Sequence, residues 1–156
     1  MTWLVTGGAG YIGSHVVRAL AQAGLPTVVV DDLSSGFRDF VPADVPFVYG
    51  SILDGEMLVK TIADHDVTGV IHVAGYKYAG VSVQRPLHTY EQNVTGTATL
   101  LAAMADQGVD RVVFSSSAAV YGTPAGTKAR CPDERSSSTT VSSPASSRAR
   151  TTCAPM

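Results

Sequence analysis

Residues 6 to 13 read TGGAGYIG, and the glycines in this run satisfy two overlapping spacings. Gly8, Gly10 and Gly13 form one, and Gly7, Gly10 and Gly13 the other. Glycines spaced in this way serve a dinucleotide: one permits a tight turn, one lets a pyrophosphate approach the backbone, and one lets a helix pack closely on a strand. The free N–H groups at the start of the helix then face the phosphates. Asp31 follows Gly13 by 18 positions, at the end of the apolar run PTVVVDD. A carboxylate there can accept both hydroxyls of an adenosine ribose and would repel a 2′-phosphate, so the pattern points to NAD over NADP. The same letters also suit an ordinary strand-to-helix turn with an incidental aspartate. The surrounding elements have to separate the two readings.

Those elements alternate. TWLVTGG opens with a short apolar run ending in glycine, as a buried parallel strand does. YIGSHVVRALAQAG carries Ile12, Val16, Ala19, Leu20 and Ala23 at helical spacing, with Gly24 where a C-terminal glycine belongs. PTVVVDD reads as a second strand and FVYG as a short third, after a polar loop that runs to about Pro46. Asp54 is placed to cap a helix containing Met57, Leu58 and Ile62. TGVIHVAG is a fourth strand, residues 86–108 a long helix closed by Gly108, and DRVVFSSS a fifth strand. Strands and helices in this rhythm predict an α/β fold, a doubly wound parallel Rossmann sheet with its ligand beyond the carboxyl ends of the strands.

Composition narrows the classes further. The chain has 156 residues, 45% of them hydrophobic and 15% charged, which suits one soluble domain. A net charge of −2 gives no reason to expect nucleic acid or an anionic membrane surface. No apolar run approaches the roughly 20 residues needed to span a bilayer, and no signal peptide is readable, so a cytoplasmic address is expected. Cys131 and Cys153 have no metal-ligand company, and no metal is expected.

The averages conceal a division. Residues 1–124 hold six basic and eleven acidic side chains, whereas residues 125–156 hold five and two. The later segment has no Leu, Ile, Phe, Tyr or Trp, and Val141 is its one branched aliphatic residue. It cannot bury enough apolar surface to offset its ordering entropy and reads as disordered. Residues 1–124 are therefore expected to form the nucleotide-binding domain, stopping after the fifth strand, and residues 125–156 a low-complexity tail. Two origins fit that tail: a natural truncation, or an out-of-frame reading of GC-rich DNA after VYGTP.

Several segments carry a resemblance to a known family. DDLSSG at 31–36, HVAGYKYAGVSVQRPL at 72–87, YEQNVTGTATLLAAM at 90–104 and VVFSSSAAVYG at 112–122 join the glycine run. Together they resemble the N-terminal part of the sugar-nucleotide 4-epimerases, in the extended short-chain dehydrogenase/reductase family. The resemblance implies that Gly7, Gly10, Tyr11, Ile12 and Gly13 contact the pyrophosphate of NAD and Asp31 the adenosine ribose. Asp32, Leu33, Ser35 and Gly36 would lie around the adenosine, with Ser51 and Ile52 near the adenine. Val73, Ala74 and Gly75 would pass close to the cofactor, with Lys77 and Gln92 by the nicotinamide ribose. Ser115 and Ser116 would line the nicotinamide site, and Ser117 would hold the sugar 4-hydroxyl. Each has a plainer reading: Lys77 as a solvated loop charge, the serines as a strand end. His72 reads as a strand-end residue, and His15, His65 and His88 as ordinary surface or helix residues.

The chain departs from the family at Ser51, where an aspartate is usual, at Val81, where a glutamate is usual, and at Gln92, where an asparagine is usual. The resemblance implies interconversion of UDP-glucose and UDP-galactose at C4 through a 4-keto sugar, with a homodimer in the full-length form. The proton acceptor in the family is a tyrosine activated by a lysine four residues on. The residues four positions after the six tyrosines here are His15, Leu53, Gly80, Ser82, Val94 and Ala125. Without that pair the chain alone is expected to be inactive. A non-catalytic NAD-binding module and a fragment of a related dehydratase or epimerase stand as alternatives.

Overall fold

Short β-branched runs alternate with amphipathic segments along the chain, and the computed structural model folds them as strands and helices in that order. Strand β1 is Thr2–Thr6, followed by helix α1 at Tyr11–Gln22 and strand β2 at Thr27–Asp31. A 3-10 turn at Arg38–Phe40 leads to β3 at Phe47–Tyr49, α2 at Gly55–Asp64 and β4 at Val67–His72. Helices α3 at Ala79–Gln84, α4 at Pro86–Tyr90 and α5 at Gly96–Asp106 precede β5 at Val112–Phe114. The structure describes residues 1–117, which form one compact unit. The expected boundary after residue 124 and the serine-rich tail lie outside the described residues.

All four strand pairings are parallel and the order is β3-β2-β1-β4-β5. Side chains alternate across a pleated strand, so a sheet buried on both faces needs apolar residues at every position. Strand β2 meets that demand through Val28, Val29 and Val30, with Thr27 and Asp31 buried at its two ends. Val28 and Val30 face one layer with Leu4 and Val70, against Leu58 and Ile62 of α2 and Leu100, Ala103 and Met104 of α5. Val5 and Val29 face the other layer, against Val17 of α1, with Val16 and Leu20 packed alongside. Helices on both faces make this the doubly wound Rossmann sheet that the alternation of elements predicts.

The helix ends follow local chemistry. Gly24 (φ +70°) and Gly108 (φ +68°) both end helices in the left-handed region. Gly24 N–H donates to Ala21 C=O (3.0 Å) and Leu25 N–H to Leu20 C=O (2.9 Å), and Gly108 and Val109 repeat the pattern on Ala105 and Met104. These are paired Schellman bonds, which satisfy carbonyls that the helix leaves over. Asp54 caps α2, its Oδ1 accepting from Met57 N–H at 3.0 Å.

Three features depart from the sequence reading. The helix expected over 86–108 is broken into α4 and α5 by a π turn at Glu91–Thr95, where Gly96 N–H reaches back to Glu91 C=O. Such a turn has no signature in residue type. The strand expected over 110–117 pairs only through Val112–Phe114. Helix α3 falls in a segment to which periodicity assigns no element.

Helix α2 ends differently from α1 and α5. Asp66 follows it with φ +48°, a conformation that glycine adopts without steric cost. A left-handed L-residue costs roughly 1–2 kcal/mol, less for aspartate, against about 0.4–1 kcal/mol of extra unfolded-state entropy for glycine. Asp66→Gly is therefore expected to stabilise the chain by about 0.5 kcal/mol, read as a higher denaturation midpoint. A lower midpoint would show that the aspartate side chain contributes more than its backbone costs.

Candidate functional site

Parallel strands deliver their following loops to one edge, and the register here brings four of them level. Thr6 of β1 stands opposite Val30 of β2 and His72 of β4, and His72 stands opposite Phe114 of β5. The strand order reverses between β1 and β4, and a crevice opens where the two loops part to opposite faces of the sheet. A cleft of about 690 Å³ occupies that position, within the roughly 300–1,000 Å³ usual for small-molecule sites.

One half of the cleft is built from glycine. Gly7 has φ +74°, and a Cβ on it would lie 2.6 Å from Ala74 N and 2.7 Å from Ala74 Cα. A Cβ on Gly13 would stand 2.0 Å from Gly7 O. Both positions are closed to any side chain. At Gly10 the nearest atom to such a carbon is Gly7 O at 3.3 Å, and this glycine lines the cleft. The bare backbone of Gly10 therefore leaves room for a ligand rather than for packing. Gly10 begins α1 without a side-chain cap, and the first turn holds no acidic residue. Tyr11, Ile12 and Gly13 of that turn all line the cleft, so the positive end of the helix faces it uncompensated.

Asp31 closes this half. It is buried, and its carboxylate bridges two loops, with Oδ2 accepting from Ala9 N–H at 2.9 Å and Oδ1 from Leu33 N–H at 2.8 Å. Leu33 adopts φ +57° to make that bond. A carboxylate has about four acceptor positions, so Asp31 keeps two beyond those bonds while lining the cleft.

The other half comes from the loop after β4, the π turn and the end of β5. Asn93 in the π turn clamps the loop, with Oδ1 accepting from Tyr76 N–H at 2.7 Å and Nδ2 donating to Tyr76 C=O at 3.0 Å. Lys77 follows Tyr76 directly and is exposed on the cleft wall. The Tyr76 ring meets Tyr78 and His88 edge-on, at 5.1 and 5.0 Å between centroids. Ser115 N–H donates to His72 C=O at 3.0 Å, extending β5 by one bond and carrying Ser115, Ser116 and Ser117 to the cleft.

Beneath this half lies His72, 2% exposed and outside the cleft wall. Its Nδ1 is 2.6 Å from Thr6 Oγ1 and its Nε2 is 3.1 Å from Thr97 Oγ1. Thr97 donates its hydroxyl proton to Asn93 C=O at 2.6 Å, so it must accept from Nε2–H. His72 is then the neutral Nε2–H tautomer, and Thr6 donates to Nδ1. Burial lowers the His72 pKa from 6.5. Cutting one link would leave a buried polar group unpaired at about 1–3 kcal/mol, more than the net worth of a made bond.

The structure brings most of the residues predicted from sequence to this one cleft. Gly7, Gly10, Tyr11, Ile12, Gly13, Asp31, Asp32, Ser35 and Ile52 line the glycine half. Val73, Ala74, Gly75, Lys77, Gln92, Ser115, Ser116 and Ser117 line the other. Three stand off the wall. Leu33 packs into the core beside β2, and Gly36 lies against Ala9, where a Cβ would come within 2.8 Å of the Ala9 backbone. Ser51 turns its hydroxyl to Leu53 N–H at 3.2 Å, while its neighbours Gly50 and Ile52 reach the cleft. Sequence reasoning passed over Ser34, Tyr76, Tyr78, Asn93, Thr97 and Phe114, which also line it. Tyr76 and Tyr78 flank Lys77 and could have been found from that, but Asn93 and Thr97 depend on the π turn. Among the described residues no group of three or more His, Cys, Asp or Glu could hold a metal ion, and no helix is long and apolar enough to cross a membrane.

Comparison with known proteins agrees with this geometry. The model of the NAD dependent epimerase/dehydratase family matches residues 3–149. The UDP-glucose 4-epimerase of Azospirillum brasilense is 53% identical over 121 residues, covering 78% of this chain and 35% of that protein. The UDP-glucose 4-epimerase of Thermus thermophilus, solved in complex with NAD, superposes with a TM-score of 0.77 at 40% identity, covering 83% of this chain and 42% of the other. That of Bifidobacterium longum, solved with NAD+ and UDP, superposes with a TM-score of 0.74 at 34% identity, covering 80% and 39%. The chain thus spans about a third of the length of the Azospirillum protein.

The buried imidazole makes stability depend on pH. Below about pH 6.5 the unfolded chain takes up a proton at His72, while the folded chain does not until a lower pH. The contribution of the neutral ring is complete above 6.5 and is lost as pH falls from there toward the folded pKa. The denaturation midpoint is expected to fall between about pH 8 and about pH 5.5, and to fall less in His72→Gln, which cannot titrate there. Parallel curves for the two proteins would show that His72 does not carry the effect.

Proposed function

The chain belongs to the NAD dependent epimerase/dehydratase family, and on that basis we propose that its cleft holds NAD. We take it to be the cofactor-binding part of a sugar-nucleotide epimerase that interconverts UDP-glucose and UDP-galactose at C4. The observation that carries the reading is the continuity of the cleft, which runs from the uncapped start of α1 to the three serines after β5. Relatives solved with NAD and with UDP support it.

The residues present fit a dinucleotide. Gly10 leaves the space that a Cβ would narrow, and the first-turn N–H groups of α1 would hold the pyrophosphate. The spare acceptor positions of Asp31 would take the ribose hydroxyls, and its charge would repel a 2′-phosphate. Lys77 would place a positive charge over the nicotinamide ribose, and Val73, Ile52 and Phe114 would give the cleft an apolar lining that limits water. NAD held by these residues would supply reversible hydride transfer at sugar C4. Ser117 would orient the 4-hydroxyl proton toward its acceptor.

We expect that acceptor to lie outside these 156 residues, since none of the six tyrosines precedes a lysine by four positions. The same observation favours a second reading, a non-catalytic NAD-binding module. A second copy is the proposed partner of the intact form. It is supported by the exposed apolar residues Leu87, Tyr90, Val94 and Leu101 on α4, the π turn and α5, and a monomer in sedimentation would count against it.

Titration calorimetry on the full chain is expected to show NAD binding, with NADP weaker by about tenfold or more. Gly10→Ala is expected to lower the melting temperature far less than Gly13→Ala and to weaken NAD by about tenfold, since its Cβ would stand 3.3 Å from Gly7 O against 2.0 Å for one at Gly13. Equal affinity for NADP would remove Asp31 from the ribose. UDP-galactose is expected to give no UDP-glucose, and turnover by this chain would show that another group serves as the base.

A further inference from the structure

The loop that carries Lys77 is tied down twice. At its start, Val73 N–H donates to Thr6 C=O at 3.1 Å, and Ala74 packs against the bare backbone of Gly7. Three residues on, Asn93 makes both hydrogen bonds with the Tyr76 backbone that a neighbouring strand would make. The Asn93 carbonyl is held by Thr97, Thr97 by His72, and His72 by Thr6. The bonds therefore close a circuit from the last residue of β1, under the cleft, to Tyr76 and back along the loop to β1.

We propose that His72 is a positioning residue. Through Thr97 and Asn93 it holds the Tyr76 backbone, and so sets where Lys77 stands over the cleft. Its ring is buried and does not line the cleft, so it reaches a ligand through these links and through the Phe114 ring, 5.5 Å away between centroids on the cleft wall. The job needs a side chain that accepts at one end and donates at the other, across the gap between β1 and α5. A neutral imidazole does this with one rigid group. Threonine at 6 and 97 supplies the matching donor and acceptor, and the π turn places the Asn93 side chain at Tyr76 with its carbonyl on Thr97. The inference rests on the dinucleotide reading only for its ligand measurement, because the backbone measurement needs no ligand.

The test uses the full chain with His72→Asn and His72→Gln. The asparagine oxygen stands where Nδ1 was and keeps the Thr6 hydroxyl, but the side chain is too short to reach Thr97. The glutamine amide reaches the Nε2 position and donates to Thr97. Amide hydrogen exchange at Tyr76 is read beside the affinities for NAD and for AMP, which occupies the adenosine end alone. In His72→Asn the Tyr76 amide is expected to exchange about tenfold faster while β1 and β2 keep their rates. NAD is expected to weaken about fivefold with AMP within about twofold, and His72→Gln to restore most of both effects. Unchanged exchange at Tyr76, or equal weakening of NAD and AMP, would overturn the proposal and leave His72 a core residue. If His72→Asn does not fold, Thr97→Val cuts the next link and is judged by Tyr76 exchange alone. If the unmodified chain binds neither NAD nor AMP, the cofactor reading fails and exchange at Tyr76 still decides the role of His72.

Discussion

The site depends on one place where three stretches of backbone meet without a side chain between them. Gly7 turns the chain out of β1 in a left-handed conformation, Ala74 passes over it from β4, and Gly13 brings the start of α1 onto its carbonyl. A Cβ at Gly7 or Gly13 would overlap backbone atoms, which cannot step aside as a flexible side chain can. Widening any of these contacts would separate the glycine turn from the Lys77 loop, and with them the two halves of the cleft. The order β3-β2-β1-β4-β5 follows the same logic, because only adjacent β1 and β4 can deliver both loops to a common point.

Around that contact the two halves are stabilised by different means. The glycine half is held by a charge, with the Asp31 carboxylate fixing Ala9 and Leu33 through backbone N–H groups. Hydrogen bonds to an ionised acceptor are about twice as strong as neutral ones, which suits a loop that must present bare backbone to a ligand. The left-handed Leu33 shows the cost of that arrangement. The other half is held by neutral groups, in a chain that runs from buried Thr6 and His72 to Thr97 and Asn93 on the cleft wall. Among the described residues no buried side-chain nitrogen or oxygen lacks a partner. Buried polar groups at a site are tolerated on that condition.

The π turn links helix to chemistry. An α-helix running unbroken from Pro86 to Asp106 would carry its residues at 100° intervals, and the extra residue of the π turn shifts that phase part-way along. Asn93 and Gln92 then meet the cleft, while Leu100, Ala103 and Met104 still meet the core. The element thus serves the sheet at one end and the site at the other.

The layers and the glycine half were legible in the order of residues. Valine runs, helical spacing, Asp54, Gly24 and Gly108 are local signals whose physics acts within a few residues, and the strands and caps fell close to where they predicted. The glycine turn and Asp31 were legible for the same reason, since a spacing over one βα unit encodes their geometry. The rest came from packing. Packing ended β5 at Phe114, inserted the π turn, and turned the Ser51 hydroxyl away from the cleft. It also placed His72 between residues 66 positions back and 25 positions on, and Asn93 on a backbone 17 positions away. No local pattern records such bonds, because each requires that strands already paired bring their partners within about 3 Å. Histidine at a strand end reads the same in a sequence whether it is solvated or clamped. Only the packed sheet fixes its partners, and with them its proton.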